Sequence, residues 1–114
     1  MHVKLNLALL LLWLPMAALA QTSYPEKLVR IVYPFPPSGG GDASARAIAQ
    51  KLSEQMGQQV VVDNRPGGNT VIGTEFVARA APDGYTLLAQ ANSFVSTPGL
   101  VAKVPYDPVR DFAG

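Results

Sequence analysis

The residues best placed to do chemistry are the run Phe35-Pro36-Pro37-Ser38-Gly39-Gly40-Gly41-Asp42. Three consecutive glycines let a backbone approach a ligand with no Cβ in the way. The run lies between an apolar stretch, Leu28 to Val32, and a helical pattern that starts near Ala43. A turn from strand to helix presents backbone N–H groups at the helix N-terminus, where they carry partial positive charge. That is the chemistry of a small-anion site, and it needs no Lys or Arg. Neither occurs between Phe35 and Asp42. The nucleotide motifs match poorly. A phosphate loop needs a lysine after separated glycines, and here the glycines are contiguous with no lysine following. The dinucleotide fingerprint wants a third glycine where Ser44 stands, and Asp42 would set negative charge against the pyrophosphate. Taken in isolation, a Gly-Gly-Gly run is also readable as a tight turn and nothing more.

Composition narrows the choice. The chain has 114 residues, a formal charge of +1 and 48% hydrophobic residues, which allows one small domain at most. No Lys/Arg run or basic stripe offers a footprint for nucleic acid. The same balance gives no electrostatic hold on an anionic membrane. With no cysteine there is no disulfide, cysteine zinc site, thiol nucleophile or lipoprotein anchor. The single histidine is His2, so neither a His triad nor a His metal cluster can be built. No nucleophile lies beside a base, and no motif asks for a cofactor or a metal, so catalysis has no support.

The first twenty residues read as a signal peptide. Met1 to Lys4 is a short positive start, Leu5 to Leu14 is apolar apart from Asn6, and Ala18-Leu19-Ala20 is a small-x-small cleavage site. A membrane span needs about 20 apolar residues, more than this core provides before Pro15. The expectation is cleavage after Ala20, periplasmic localisation, and no direct membrane anchor once the signal is removed.

Elements must then position the glycine run. Leu28 to Val32 reads as a buried parallel-type strand. Asp42 reads as the N-cap of a helix whose inner face is Ala45, Ile48, Ala49, Leu52 and Met56, closed by Gly57 at C′. Asp42 also pairs with Arg46 at i+4. Val60 to Val62 gives a second strand, and Asn64 to Asn69 a loop of strong breakers. Ile72, Phe76, Val77 and Ala80 mark a second helix, with Glu75 and Arg79 paired on its wet side. Tyr85 to Ala89 gives a third strand. The order β-α-β-α-β predicts an α/β fold with a parallel sheet. In such sheets ligands gather at the carboxyl ends of the strands. Residues 34–42, 65–70 and 90–98 would meet there.

These motifs in combination resemble a known family. Pro34 to Asp42, Ala49-Gln50-Lys51-Leu52, Val60 to Gly68, Ala78 to Leu88 and Pro105 to Phe112 look like the substrate-binding receptors of tripartite tricarboxylate transporters, also called Bordetella uptake gene proteins. The resemblance implies a periplasmic-binding-protein-like fold of type II, with two α/β lobes and a cleft that holds a small carboxylate. It implies partnership with the membrane subunits of the transporter. Carried onto this sequence, Phe35, Pro36, Pro37, Ser38, Gly39, Gly40, Gly41 and Asp42 would line the carboxylate site. Gly67, Gly68 and Asn69 would form a nearby rim, and Asn92, Ser93 and Ser96 would add side-chain hydrogen bonds. Ser38 departs from the family, which commonly has glycine there. Residues 21–104 would be a partial first lobe, and 105–114 the start of a crossover toward a second. Two other readings stay open, a non-functional remnant or stand-alone interaction mini-domain, and, more distantly, a Rossmann-type nucleotide-binding enzyme.

Overall fold

The computed structural model describes residues 23–113, so the signal-peptide assignment lies outside the described residues. Three strands, β1 (Val29–Tyr33), β2 (Val60–Asn64) and β3 (Thr86–Leu88), form one sheet in the order β2-β1-β3. Both pairings are parallel, with Ile31 opposite Val62 on one side and Leu87 on the other. Helices α1 (Gly39–Met56), α2 (Val71–Ala78) and α3 (Ser93–Leu100) follow the three strands in turn. The α/β class and the parallel sheet read from the sequence are therefore present. The third helix is an addition, because the sequence reads residues 90–98 as a turn. Pro98 and Gly99 are the reason: both signal a break, yet Pro98 sits inside α3.

β1 is the central strand and the most buried, with Val29 and Val32 at 1% and 0% exposure. β2 and β3 are outer strands. Only Val60 of β2 is buried, and Leu87 of β3 is exposed, so the buried character of a parallel-type strand is concentrated in β1. Ala45, Ala49, Leu52 and Met56 of α1 face the sheet. Ile48 does not; it is 57% exposed. At about 100° per residue, Ile48 falls about 70° off the centre of that stripe, and the two small alanines bring the helix too close for a wider face. Gly57 ends α1 in the left-handed conformation, its N–H bonded to the Ser53 carbonyl at 3.1 Å.

α2 also turns a different face inward than its apolar pattern suggests. Ile72 is 56% exposed, Ala80 lies beyond the helix end, and the buried residues are Gly73 and Thr74. The cause is close approach. A Cβ on Gly73 would come within 2.6 Å of the Arg65 carbonyl oxygen and 2.7 Å of Pro34 Cβ. Glycine at this position lets the first turn of α2 sit directly against the ends of β1 and β2.

Thr70, the N-cap of α2, has φ 72°, is 7% exposed, and leaves its hydroxyl without a partner among the described residues. A β-branched residue in the left-handed region costs roughly 1–2 kcal/mol. An unpaired buried hydroxyl adds about 1–3 kcal/mol. We therefore expect Thr70→Gly to stabilise the fold by about 1 kcal/mol in urea denaturation, after the loss of the buried methyl group. Gly73→Ala should destabilise it by about 2 kcal/mol through overpacking. Gly40→Ala, with nothing within 4 Å of its added Cβ, should be neutral or slightly stabilising.

Candidate functional site

The glycine run is the first turn of α1 itself. The sequence places the helix start near Ala43 with Asp42 as N-cap; in the structure the helix opens at Gly39 and Ser38 is the N-cap, with φ 109°. Its side chain makes no capping hydrogen bond. Glycine's poor helix propensity hides this turn from a sequence reading. The consequence is chemical. The N–H groups of Gly39, Gly40 and Gly41 are the ones an α-helix leaves without internal acceptors. Among the described residues they meet no acceptor, and all three glycines are exposed. Gly39 has φ 85°, which the entry into the helix requires.

Asp42 organises this turn from within. It is 6% exposed, and its Oδ2 accepts from Arg46 Nε at 2.9 Å and from the Ser38 N–H at 3.3 Å. Its Oδ1 accepts from Asn64 Nδ2 at 2.8 Å. Asn64 Nδ2 also donates to the Phe35 carbonyl at 3.2 Å, and Asn64 Oδ1 accepts from Arg46 Nη2 at 2.8 Å. Asp42, Asn64 and Arg46 thus form a closed triangle joining the turn to the end of β2. The hydrogen bonds from Arg46 first, then Asn64, hold the Asp42 carboxyl below its ordinary value, against the opposing effect of burial. Asp42 lies in the turn as the sequence places it, but its carboxylate is committed to holding the turn together.

The other candidate residues occupy the same sheet edge in three groups. Phe35 is half-buried, its ring tilted against Tyr33 at 4.9 Å, while Pro36, Pro37 and Ser38 are exposed. Gly67, Gly68 and Asn69 are exposed before α2, and all three have positive φ. The side chain of Ile72 lies on the two glycines. Asn92, Ser93 and Ser96 belong to the start of α3, where Ser96 Oγ donates to the Asn92 carbonyl at 3.2 Å. The first and second groups are joined by Gly73 against Pro34, and the second and third by a bridge from Thr74 through Gln90 to Ser93.

Two residues near the site are not legible as site residues in the sequence. Tyr33 closes β1, and its phenol oxygen occupies the place a Cβ on Gly41 would take. Gln90 makes three side-chain hydrogen bonds, to its neighbours Ala91 and Ser93 and, across to α2, to Thr74. Asp63, between Arg30 at 3.3 Å and Arg65 at 2.9 Å, is structural, and the Arg65 guanidinium lies 3.6 Å over the Phe76 ring.

A groove of about 820 Å³ runs along the outer edge of β3, between α2 and residues 111–113. Leu87, Leu88, Phe94 and Phe112 make it mainly apolar, and it contains none of the glycine-turn residues.

Residues 44–114 match the family model described as the tripartite tricarboxylate transporter family receptor. The chain belongs to this receptor family. It is 46% identical over 90 residues to a UPF0065 protein from the tcbD-tcbE intergenic region of Pseudomonas sp. strain P51, covering 79% of this chain and 27% of that protein. It is 40% identical over 97 residues to BugT of Bordetella pertussis, covering 83% of this chain and 30% of BugT. The receptor chain thus spans less than a third of the length of these relatives. Among solved structures it is similar to the periplasmic binding protein BugD, with a TM-score of 0.73 at 41% identity over 78% of this chain and 30% of BugD. It is similar to an R. palustris protein solved with adipate (TM-score 0.70, 40% identity, 75% of this chain, 29% of that one). MatC of Rhodopseudomonas palustris, solved with bound malate, gives a TM-score of 0.69 at 31% identity over 78% of this chain and 31% of MatC. The family is one of periplasmic solute-binding receptors rather than enzymes.

The Asp42 triangle sets an acid limit on receptor stability. A carboxylate whose folded value is depressed stabilises the fold above its unfolded value, 3.8, and loses that contribution as pH falls through the depressed one. Asp107, held low first by the Arg110 N–H and then by that of Val109, adds with the same sign. We expect midpoint denaturant concentration to decline below pH 3.8, and Asp42→Asn to flatten that decline while lowering stability at neutral pH. Denaturation curves between pH 2 and 7 check both outcomes.

Proposed function

We propose that this chain is the carboxylate-binding part of a periplasmic solute receptor that hands its ligand to the membrane subunits of a tripartite tricarboxylate transporter. On this reading residues 1–20 direct export and are cut after Ala20. Residues 21–104 correspond to part of a first lobe, and 105–114 lead toward a second. The protein binds rather than transforms its solute and uses no cofactor or metal.

One observation carries the reading: the exposed N–H groups of Gly39, Gly40 and Gly41 stand together, without acceptors among the described residues, at the carboxyl edge of a parallel sheet. Such a turn satisfies a carboxylate without a charged side chain. The ligands of two similar structures, adipate and malate, are carboxylates. Phe35 to Ser38 frame the turn, the rim of Gly67, Gly68 and Asn69 lies beside it, and Asn92, Ser93 and Ser96 supply polar groups from the third loop. Asp42 keeps the frame rather than touching the solute.

A second reading, an interaction module, is favoured by the apolar groove beside β3. It predicts self-association or capture of extended polypeptide in sedimentation experiments, with no dependence on the glycine turn.

Calorimetric titration with malate and adipate tests the receptor reading. Proline is tolerated in the first turn of a helix, so Gly40→Pro removes one N–H and leaves α1 in place. We expect it to weaken carboxylate binding about 10- to 100-fold, the worth of one hydrogen bond to a charged group. Equal binding by the wild type and Gly40→Pro would refute a role for the turn.

A further inference from the structure

The two outer edges of the sheet are treated differently. On β2, the Val60 N–H donates to Ser53 Oγ of α1 at 2.8 Å, and Ser53 donates onward to the Ala49 carbonyl at 2.9 Å. A side chain of α1 thus stands where a further strand would begin. On β3, the Tyr85 carbonyl accepts from the Arg30 N–H at 2.9 Å, and the Ala89 N–H donates to the Val32 carbonyl at 2.9 Å. Successive residues of a strand turn their peptide groups to opposite sides. Thr86 and Leu88 therefore point their N–H and C=O groups away from β1. Both residues line the apolar groove, and among the described residues these groups meet no partner.

An open edge of this kind is a template for one more strand. The groove sets the character of that strand. Among the described residues its lining carries one charge, Asp111, which Arg110 answers at 3.3 Å. The occupant that fits is extended, uncharged and apolar.

The described chain starts at the mouth of this groove. The Tyr24 phenol donates to the carbonyl of Gly84, a groove residue, and its ring lies 5.0 Å from that of Tyr85. Residues 1–22 precede this point. Of these, Leu14 to Thr22 carry no charge, and Leu14 to Ala20 are all apolar. At about 3.3 Å per residue, that stretch reaches about 30 Å, enough to pass the whole of β3. A chain leading into Tyr24 runs past β3 from its end to its start, which is the antiparallel direction.

We propose that in the uncut chain residues 16–20 fill the groove as an antiparallel strand on the outer edge of β3, and that the cut after Ala20 uncovers it. The contact is autoinhibitory, because it closes the edge to any other polypeptide until the leader is removed. Pro15 has no N–H to give to a ladder and sets the far end of the pairing. The pairing belongs to the uncut chain; the uncovering rests on the export reading above.

The chain has no cysteine, so a pair of introduced cysteines reports one contact. Leu87 lies between the two outward-facing residues, where an antiparallel partner comes to about 4.5 Å between Cα atoms, within disulfide range. Leu87 is 38% exposed, so Leu87→Cys is tolerated. It is combined in turn with Met16→Cys, Ala17→Cys, Ala18→Cys, Leu19→Cys and Ala20→Cys in the full-length, uncut chain. Mild oxidation should close an internal disulfide in most molecules of one pair, and about tenfold less in the pairs beside it, since a one-residue shift turns the side chain to the other face. Disulfide-linked dimers in place of the internal bond, or no bond in any pair, overturn the inference. Hydrogen exchange checks it without cysteines. The Thr86 and Leu88 amides should exchange about tenfold or more slowly in the uncut chain than in the double variant Ala18→Asp, Leu19→Asp, whose charges expel the segment. Equal rates overturn the pairing. The export reading fails separately: exported protein that keeps residues 1–20 by mass spectrometry overturns that reading and the uncovering with it, while the cross-link still decides the pairing.

Discussion

The arrangement of this edge depends on a buried carboxylate that is fully employed. Asp42 receives hydrogen bonds from Arg46, Asn64 and the Ser38 N–H, and Asn64 reaches on to the Phe35 carbonyl. A buried charge persists only where partners answer it. Here the answer comes from three directions: the next turn of α1, the end of β2 and the entrance of the glycine turn. The first turn of α1 consists of glycines, which give up more conformational freedom on entering a helix than other residues do. Asp42 offsets part of that cost, since a negative charge near a helix N-terminus is stabilising. Removing it would loosen the helix start, the β1–α1 turn and the link to β2 together.

The second condition is closeness. Ala45 and Ala49 let α1 lie on the sheet, and Gly73 lets α2 reach the backbone at the ends of β1 and β2. Small residues at these contacts place the heads of the helices on one edge. Larger residues take the outer positions; Ile48 and Ile72 are both more than half exposed. At the end of the described chain Tyr106 turns back to stack on Phe94 of α3, with Phe112 set edge-on to both. The third helix gains its packing from residues that follow it.

What could be read from the sequence divides along the same lines. Alternating strand and helix patterns and the punctuation at Gly57 and Gly84 were enough for the class and for the parallel sheet. The Asp42–Arg46 and Glu75–Arg79 pairs depend on helical spacing alone, and both form. The start of α1 was hidden because glycine runs signal turns, and what recruits them into a helix is Asn64, distant in sequence. α3 was hidden behind Pro98 and Gly99. The buried face of α2 was misjudged because hydrophobicity cannot report that a neighbouring backbone leaves room only for glycine. Gln90 could not be singled out, since its bonds join Thr74 and Ser93 only after β3 has taken its place beside β1. The junction of first strand and first helix at the glycine run was legible, because strand pattern, glycines and helix pattern adjoin in the sequence.

On the proposed reading, the turn makes a definite demand on a solute. Helix N–H groups attract negative charge but distinguish poorly among acids. They also work beside Asp42, whose charge, although paired with Arg46, still lies within the same first turn. A singly charged carboxylate group tolerates that neighbour better than a phosphate dianion, since repulsion scales with the product of the charges. Attraction at the turn therefore selects the kind of anion. Discrimination built this way needs no cationic side chain. It rests instead on the cost of leaving a polar group unmatched, which commonly exceeds the net gain from matching it.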